Sequence, residues 1–256
     1  MVTVYSRRLS VGCLLAASSI ALTGCAPSKN HAQDPHECWN RGVYLINHHI
    51  DKIALRPAAR LYDALMPTPV QFMVSNFFQN VNELPILANN FLQGKFRYAA
   101  HDTTRFIINT TIGMGGLFDV ATKMNIPRHP TDFGLTLARW GYKNSNYLVL
   151  PLFGPSTWRD GVGRVGDYFA SPWPYIHSVK ARNEFAVTYF IDTRKNLLKS
   201  EKVLDAAAVD EYDFMRDAYL QRREYLIKNE EDANNAPGVE ANALSLSIEA
   251  EEGPPA

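Results

Sequence analysis

The stretch that decides the fold is ALMPTPVQFMVSNFFQNVNELPILANNFLQG, residues 64–94, which carries a single charged residue, Glu83, in 31 positions. Its apolar residues recur at steps of three and four, which predicts a helix. Its remaining positions are mostly amides and hydroxyls, whereas an ordinary surface helix has a charged face. The stretch therefore predicts either a helix within one leaflet of a membrane or a buried core helix whose amides bond to each other. The spacing of the apolar residues alone is compatible with both of these positions for the helix.

The rest of the chain outside its two ends is also mostly helical by pattern. Apolar periodicity predicts helices over residues 96–111, 180–199 and 209–226, and prolines at 57, 67, 69 and 85 predict short helices or kinks before residue 94. Glycine and proline between residues 113 and 175 predict loops, with residues 147–150 as the best strand candidate. Residues 106–118 and 144–157 carry no charge, but no segment is a clean apolar run of membrane-spanning length.

The N-terminus has the pattern of a bacterial lipoprotein signal. Arg7 and Arg8 precede an apolar run over residues 9–22, and Leu22-Thr23-Gly24-Cys25 has the form of a lipobox. We expect cleavage before Cys25 and acylation of its thiol and new amine, which holds a protein on a bilayer. An ordinary secretory signal that contains a cysteine is the alternative. Because Ala26 is not the aspartate that retains lipoproteins in the inner membrane, we expect the outer membrane.

These patterns divide the chain into four parts: a signal peptide over 1–24, a lipidated tether over 25–34, a helical domain over 35–228 and an acidic tail over 229–256. The tail has seven acidic residues, no Lys or Arg and no aromatic residue, which predicts disorder. The full chain has 26 basic and 26 acidic residues, a balance that argues against nucleic-acid binding. After processing, only Cys38 would remain as a thiol, so we expect no disulfide.

Three short motifs have the residue types of catalytic or metal sites. His48-His49 near Asp51 could suggest a metal site, but adjacent histidines on a helix point about 100° apart, so a polar helix face is the better interpretation. Residues 113–116, GMGG, lack the ending of a phosphate loop and predict a tight turn or a junction. Residues 154–156, GPS, are not a nucleophile elbow. We therefore expect no catalytic residue, no metal and no cofactor.

Asp160 and Asp167 lie seven residues apart, so they would share a face if residues 160–167 were helical. The three glycines between them weaken any helix. Paired carboxylates can perform acid–base work, line a polar passage or cap helices. The favoured interpretation is structural, with Asp160 bonded to Arg159 or to nearby backbone.

Several longer motifs follow one another in a fixed order. They are DPHECWNR at 34–41, NFLQG at 90–94, RFIINTTIGMGGLFD at 105–119, DFGLTL at 132–137, and YLVLPLFGPST at 147–157 followed by RDG at 159–161. Together they resemble the VacJ/MlaA family of outer-membrane lipoproteins over about residues 22–228.

The resemblance implies an all-α, ring-shaped assembly of short and medium helices that lies in the inner leaflet of the outer membrane. A central amphipathic channel and a hairpin-like loop belong to this expectation. Family members associate with trimeric porins, remove phospholipids mislocalised to the outer leaflet and pass them to a periplasmic lipid carrier protein. They make and break no bond. Two other functions stay open: a lipoprotein that only scaffolds a porin, and a lipid hydrolase, for which we find no nucleophile–base pair.

The resemblance also gives candidate residues for the channel. In the family, a glycine-containing hairpin between Gly113 and about residue 151 gates the passage. Gly141 falls at one of its glycines, whereas Lys143 stands where many members have a second. The channel and gating candidates are Asn47, Gly113, Gly115, Gly116, Gly141, Asp160 and Asp167.

Overall fold

The structure is a computed structural model that describes residues 33–207 and 210–235, with side chains described up to residue 198 and again over 210–228. The signal peptide, Cys25 and most of the tether lie outside the described residues, as does the tail from residue 236. Cys38 is disulfide-bonded in this full-length chain, whereas a free thiol was expected after processing.

The described chain is mostly helical, which confirms the predicted class apart from one small hairpin. The helices are α1 Glu37–Ile50, α2 Arg56–Leu65, α3 Thr68–Leu92, α4 Phe96–Thr111, α5 Val120–Lys123, α6 Phe133–Arg139, α7 Trp158–Ala170, α8 Val179–Ala207 and α9 Glu211–Asn235. A π-helical turn, Asp51–Leu55, joins α1 to α2, and a 3-10 turn, Trp173–Tyr175, follows α7.

The sheet has two antiparallel strands, β1 Tyr147–Leu150 and β2 Gly154–Thr157, with Tyr147 opposite Thr157 and Leu150 opposite Gly154. The strand predicted at 147–150 is therefore confirmed. Leu152 in the turn has a φ of 66° and Gly154 a φ of 74°, so the chain reverses through two left-handed residues.

The nearly uncharged stretch at residues 64–94 contains the whole of α3. α3 and α4 are joined by a short turn at residues 93–95, which makes them antiparallel neighbours. At Pro85 the sequence predicts the end of a short helix or a kink, and α3 continues through this proline to Leu92. A proline inside a helix loses one backbone hydrogen bond, and here the neighbouring packing maintains the helix.

The glycines of residues 160–167 do not prevent a helix, contrary to expectation. Residues 158–170 form α7, and two of its glycines lie where α7 meets α6. A Cβ on Gly163 would lie 2.5 Å from the backbone nitrogen of Gly134, and one on Gly166 would lie 2.8 Å from the Phe133 ring. The glycines therefore allow two short helices to approach closely, which offsets their low helix propensity.

α9 begins at Glu211, two residues after the predicted start of this helix at 209. Asp210 accepts hydrogen bonds from the backbone N–H groups of Tyr212 and Asp213 at 2.9 and 3.2 Å, as an N-cap does. The helix ends at Asn235, seven residues beyond the predicted end of the helical domain at 228.

Candidate functional site

The distribution of polar and apolar side chains is the reverse of that in an ordinary water-soluble protein. Among the described side chains, 20 buried ones are polar or charged and 11 are apolar, while 34 large apolar side chains are exposed. Buried polar groups and exposed apolar patches are the informative departures from the usual pattern. In the part of the chain that the structure describes, no helix is long and apolar enough to cross a membrane.

The amides of α3 are buried and hydrogen-bonded within the protein. Asn89 donates to the Asp167 carboxylate at 2.7 Å and accepts from the Thr136 hydroxyl at 2.8 Å, and Asn90 donates to the Asp102 carboxylate at 2.8 Å. In this respect α3 agrees with the interpretation of residues 64–94 as a core helix, since its amides bond to partners inside the protein. The same helix nevertheless exposes apolar side chains, so it has a polar inner face and an apolar outer face.

The lone charge of α3 lies in an ion cluster that we call the Glu83 cluster, made of Glu83, Arg105, Asp119 and Arg128. Glu83 Oε1 lies 2.7 Å from Arg128 Nε and 3.7 Å from Arg105 Nε, and Arg105 Nη2 lies 3.2 Å from Asp119 Oδ1. Glu83 is 2% exposed. Burial raises the pKa of its carboxyl to about 7, although the two arginines act in the opposite direction.

A second group, the Asp160 cluster, joins α6, α7 and α9 and consists of Asp132, Arg159, Asp160, Tyr219 and Arg223. Asp160 Oδ1 accepts from Arg159 Nε at 2.9 Å and from Arg223 Nη2 at 2.7 Å, and Asp160 Oδ2 accepts from the Tyr219 hydroxyl at 2.8 Å. The predicted bond between Asp160 and Arg159 is therefore confirmed. Burial favours a higher pKa for Asp160, but Arg223 and Arg159 outweigh it, so the net pKa is lowered.

Asp167 lies two turns along α7 from Asp160 and belongs to a different set of contacts. It accepts hydrogen bonds from Asn89 Nδ2 at 2.7 Å and from the backbone N–H of Phe133 at 3.1 Å. Burial raises the pKa of its carboxyl to about 6. Asp160 and Asp167 thus share a helix, as their spacing suggested, but Asp160 is held by cations and Asp167 by neutral donors.

The hairpin is held against α1 by two asparagine side chains. Asn40 Oδ1 accepts from the backbone N–H of Val149 at 2.9 Å, and Asn40 Nδ2 donates to the carbonyl of Tyr147 at 3.2 Å. Asn47 Nδ2 donates to the carbonyl of Leu150 at 2.9 Å, and Asn47 Oδ1 accepts from the N–H of Leu152 at 2.8 Å. The candidate Asn47 therefore fixes the turn of the hairpin.

The candidate glycines lie at two separate turns. Gly113, Gly115 and Gly116 form the tight turn after α4 that the sequence predicted. Gly116 has a φ of 91°, and a Cβ there would lie 2.6 Å from the Asn80 side chain, so this turn packs directly on α3. Gly141, with a φ of 113° and open space around it, lies in the loop between α6 and β1.

Two of the arginines in these clusters were not identified from the sequence as site residues. Arg105 lies in the motif at 105–119, which gave it no role, and Arg223 lies in α9, beyond the last of the quoted motifs. The isolated charge of Glu83 was the available signal, because a lone carboxylate among amides requires a buried cation. No such signal marks Arg223. The described residues contain no cluster of three or more potential metal ligands.

These features define a class, namely a helical protein with its large apolar side chains turned outward and its polar side chains buried in bonded clusters. The chain belongs to the MlaA lipoprotein family, whose model matches residues 32–226.

Curated relatives and a solved structure agree with this assignment. The chain is 34% identical over 219 residues to the intermembrane phospholipid transport system lipoprotein MlaA of Escherichia coli (strain K12), covering 83% of this chain and 86% of the relative. It is 30% identical over 222 residues to the Haemophilus influenzae protein of the same description, covering 83% and 88%. A solved structure described as "Structural basis for maintenance of bacterial outer membrane lipid asymmetry" is 32% identical, with a TM-score of 0.66 over 76% of this chain and 98% of that one.

Proposed function

We propose that this protein is an outer-membrane lipoprotein that removes mislocalised phospholipids from the outer leaflet and passes them to a periplasmic carrier, which maintains lipid asymmetry. Its relatives are intermembrane phospholipid transport lipoproteins. The observation that carries the proposal is the outward display of large apolar side chains over bonded polar clusters. That arrangement suits a body surrounded by acyl chains with a polar inner path for headgroups.

The body of the protein lies partly within the inner leaflet of the outer membrane, reached from the periplasmic side. Acylated Cys25 delivers the chain to this membrane, and the apolar outer faces of the helices hold it there. Phe72 on α3 and Phe96 and Ile107 on α4 are each more than half exposed. In water such side chains cost free energy, and burying one in an apolar phase recovers about 1.5–3 kcal/mol.

A trimeric porin and a soluble lipid carrier are the protein partners in this proposal. The porin supports the ring from outside, and the carrier receives the lipid at the periplasmic opening. The transfer needs no covalent chemistry, no cofactor and no metal, so the protein acts as a transporter and not as an enzyme. The signal peptide over 1–24 and the lipidated tether over 25–34, both predicted from the sequence, belong to the same proposal.

The gate of the passage is the segment from Gly113 to about residue 151, which ends in β1 of the hairpin. Asn47 sets the position of the hairpin turn, Gly141 permits the conformation of the loop, and Asp160 anchors α7 behind the hairpin. The turn containing Gly113, Gly115 and Gly116 fixes the end of α4 on α3. Asp167, held by neutral donors and with a pKa raised to about 6, is the candidate for contact with a headgroup.

The test is to replace the chromosomal copy with variants and to measure surface-exposed phospholipid and detergent sensitivity. Deletion should raise both. Asn47→Leu removes two hydrogen bonds to the hairpin turn and should raise both while the protein accumulates normally in the outer membrane. His49→Gln, on the exposed part of the same helix, is the matched control and should behave as the wild type.

Two outcomes would contradict the proposal. If deletion leaves outer-leaflet phospholipid unchanged, lipid removal is not the function. If Asn47→Leu abolishes co-purification with the porin but leaves lipid asymmetry intact, the protein is a scaffold and the hairpin is not a gate.

A further inference from the structure

The outward face of α7 carries an apolar stripe that runs along the whole helix. We call it the α7 stripe, and its members are Trp158, Val162, Val165 and Phe169, each between 49% and 59% exposed. They recur at steps of four, three and four residues, which places them on one line along a helix. The helix rises about 16 Å over this interval, and half the thickness of a bilayer hydrocarbon core is about 15 Å. The stripe therefore has the length of the acyl region of one leaflet.

The opposite face of α7 packs against the rest of the protein. Arg159, Asp160 and Gly163 are buried there, and Asp167 bonds to Asn89 of α3 and to the backbone of α6. The polar contacts described above thus lie on one face of α7 and the apolar stripe on the other. The stripe is outside the polar inner path that we propose for headgroups.

Arg164 lies at the edge of the α7 stripe and is held by the turn of the hairpin. Its Nη1 donates to the carbonyl of Phe153 at 3.4 Å and its Nη2 to the carbonyl of Pro155 at 3.3 Å, and the guanidinium carbon lies 5.7 Å from the centroid of the Phe153 ring. Both hydrogen bonds are longer than the usual N–H···O distance. The exposed guanidinium is thus positioned without being strongly engaged, so it loses little entropy when it binds an oxyanion.

The charge of Arg164 is not offset by a carboxylate in the part of the chain that the structure describes. The groups that it contacts there, two carbonyls and one phenyl ring, are neutral. The two carboxylates of the Asp160 cluster, Asp132 and Asp160, are instead bound by Arg159 and Arg223. A surplus cation beside an apolar stripe complements an anionic amphiphile, and arginine binds phosphate oxygens well.

The turn of the hairpin adds a second apolar surface next to Arg164. Leu152 and Phe153 are each 56% exposed, and Arg164 bonds to the backbone of this turn. The cation therefore joins two apolar surfaces, one on α7 and one on the hairpin. A phosphate bound to it would have an apolar surface on each side, which suits a lipid with two chains.

We infer that the α7 stripe and Arg164 form a binding site for one phospholipid molecule of the surrounding leaflet, with its phosphate at Arg164 and an acyl chain along the stripe. The choice of a phospholipid as the occupant rests on the proposed function, which places the protein in a leaflet. The stripe and the surplus cation are features of the structure itself. The site holds a lipid beside the hairpin, on the outer surface of the protein.

The experiment measures lipid binding to the full-length, acylated protein in mixed detergent micelles. Trp39, Trp140 and Trp173 are replaced by phenylalanine, so that the fluorescence comes from Trp158 on the stripe. The two probes are phosphatidylglycerol with brominated acyl chains, which quench tryptophan, and diacylglycerol with the same chains and no phosphate. The measured quantity is the mole fraction of lipid that gives half of the maximal quenching.

The phosphate contact is tested at Arg164. Arg164→Gln should raise the half-quenching mole fraction of phosphatidylglycerol about two- to fivefold, since an exposed cation contributes a modest amount, and should leave that of diacylglycerol unchanged. Arg164→Lys keeps the charge and should restore most of the affinity. Arg60→Gln, at an exposed arginine of α2, is the matched control and should behave as the parent protein with both lipids.

The chain contact is tested with two valines of equal exposure. Val162 on the stripe is 59% exposed and Val187 on α8 is 58% exposed. Val162→Ser should weaken the binding of both lipids about three- to tenfold, because it removes apolar contact with the acyl chain. Val187→Ser should leave the binding of both unchanged.

Four outcomes overturn the inference. The first two are equal effects of Arg164→Gln and Arg60→Gln on phosphatidylglycerol, and an equal loss of both lipids in Arg164→Gln, which would make the role of Arg164 structural. The third is unchanged lipid binding by Val162→Ser. The fourth is a Val162→Ser variant that instead changes the mass of the protein particle or loses co-purification with the porin, which would make the stripe a contact with a second copy or with the porin.

The site and the proposed function fail separately. Lipid binding as expected, together with unchanged outer-leaflet phospholipid in the deletion strain, supports the site and removes the proposed function. Failed lipid binding together with raised surface phospholipid in the deletion strain removes the site and leaves the proposed function standing.

Discussion

Two regions of this molecule are stabilised in opposite ways. Where α1, β1 and α9 meet, Val43, Tyr147, Val149 and Tyr212 form a small apolar core of the kind found in water-soluble domains. Where α3 meets α4, the buried contacts are carboxylates, guanidinium groups and amides, and the apolar side chains face outward. A single helical chain therefore combines a conventional core near the hairpin with an inverted core in the helices that we place in the leaflet.

The largest expected effect is the loss of a cation from the inverted core. Arg105→Leu removes the partner of Asp119, the contact with Glu83 and a hydrogen bond of 2.6 Å to the carbonyl of Ile126. Removing one partner of a buried ion pair leaves an uncompensated charge and costs about 3–5 kcal/mol. We expect this loss in the free energy of unfolding, measured by denaturant titration of the detergent-solubilised protein.

The conventional core provides the comparison for this variant. Val149→Ala deletes two methyl groups at a side chain that is 2% exposed and should cost about 2 kcal/mol. If Arg105→Leu destabilises the protein less than Val149→Ala, the polar contacts between α3 and α4 do not hold that region together, and the contrast between the two regions fails.

An effect of intermediate size on the free energy of unfolding follows from the opposite pKa shifts of Glu83 and Asp160, which lie in different ion clusters. Burial raises the pKa of Glu83 from 4.5 to about 7, so the folded chain binds this proton more tightly than the unfolded chain. The contribution of Glu83 to stability is therefore complete below about pH 4.5 and is lost as the pH rises to about 7. Asp160 behaves in the opposite way, because its lowered pKa makes its contribution present above its unfolded value and lost in stronger acid.

Measurement of the free energy of unfolding between pH 5 and 7 should therefore distinguish the contribution of Glu83 from that of Asp160. Wild type should lose stability as the pH rises, by at most about 1.4 kcal/mol per pH unit from this one group, and Glu83→Gln should show a shallower slope. Asp167, whose pKa is also raised to about 6, contributes in the same direction in both proteins. Identical slopes for wild type and Glu83→Gln would show that Glu83 is already ionised at pH 5 in the folded chain.

The smallest expected change in folding comes from the outer face of α3. Phe72 is 62% exposed, so Phe72→Ser should change the free energy of unfolding in detergent by less than about 0.5 kcal/mol. It should, however, reduce vesicle binding of a chain that also carries Cys25→Ala, as measured by flotation. The lost apolar contact with the bilayer is the physical reason.

Phe78, six residues further along the same helix, is the matched contrast. It is 3% exposed and packs against Trp173 and Tyr189, so Phe78→Ser should destabilise the fold itself by about 3 kcal/mol or more. Unchanged vesicle binding by the Phe72 variant would place this face of α3 away from the bilayer.

Local patterns in the sequence were sufficient to predict most helices and the strand. The helix at 96–111 matches α4, and the acidic residues at 210–213 mark the start of α9 because capping depends on neighbours in the chain. The prediction of a weak helix around Gly163 was wrong. Here tertiary packing, which a single sequence does not display, outweighs local propensity.

The candidate site was only partly predictable. The bond between Asp160 and Arg159 joins neighbours in the chain and could be anticipated. The partnership of Asp160 with Arg223 spans 63 positions, and neither hydrophobic period nor motif indicates it. The amides of α3 were recognised as unusual, but their partners lie on four other helices and become visible only in the fold.

The bonds between α1 and the hairpin depend on the spacing of two asparagines. Asn40 and Asn47 are seven residues apart on a helix, a rise of about 10.5 Å. Asn40 binds the backbone of β1 at Tyr147 and Val149, and Asn47 binds the end of β1 and the turn at Leu150 and Leu152. The outer edge of β1 is thus closed by side chains instead of by a third strand. An insertion or deletion of one residue between the asparagines would turn one of them by about 100° and open that edge, which is the surface where strands of different molecules pair. The spacing of the two amides therefore keeps the outer edge of β1 covered, so that it is not free to pair with another strand.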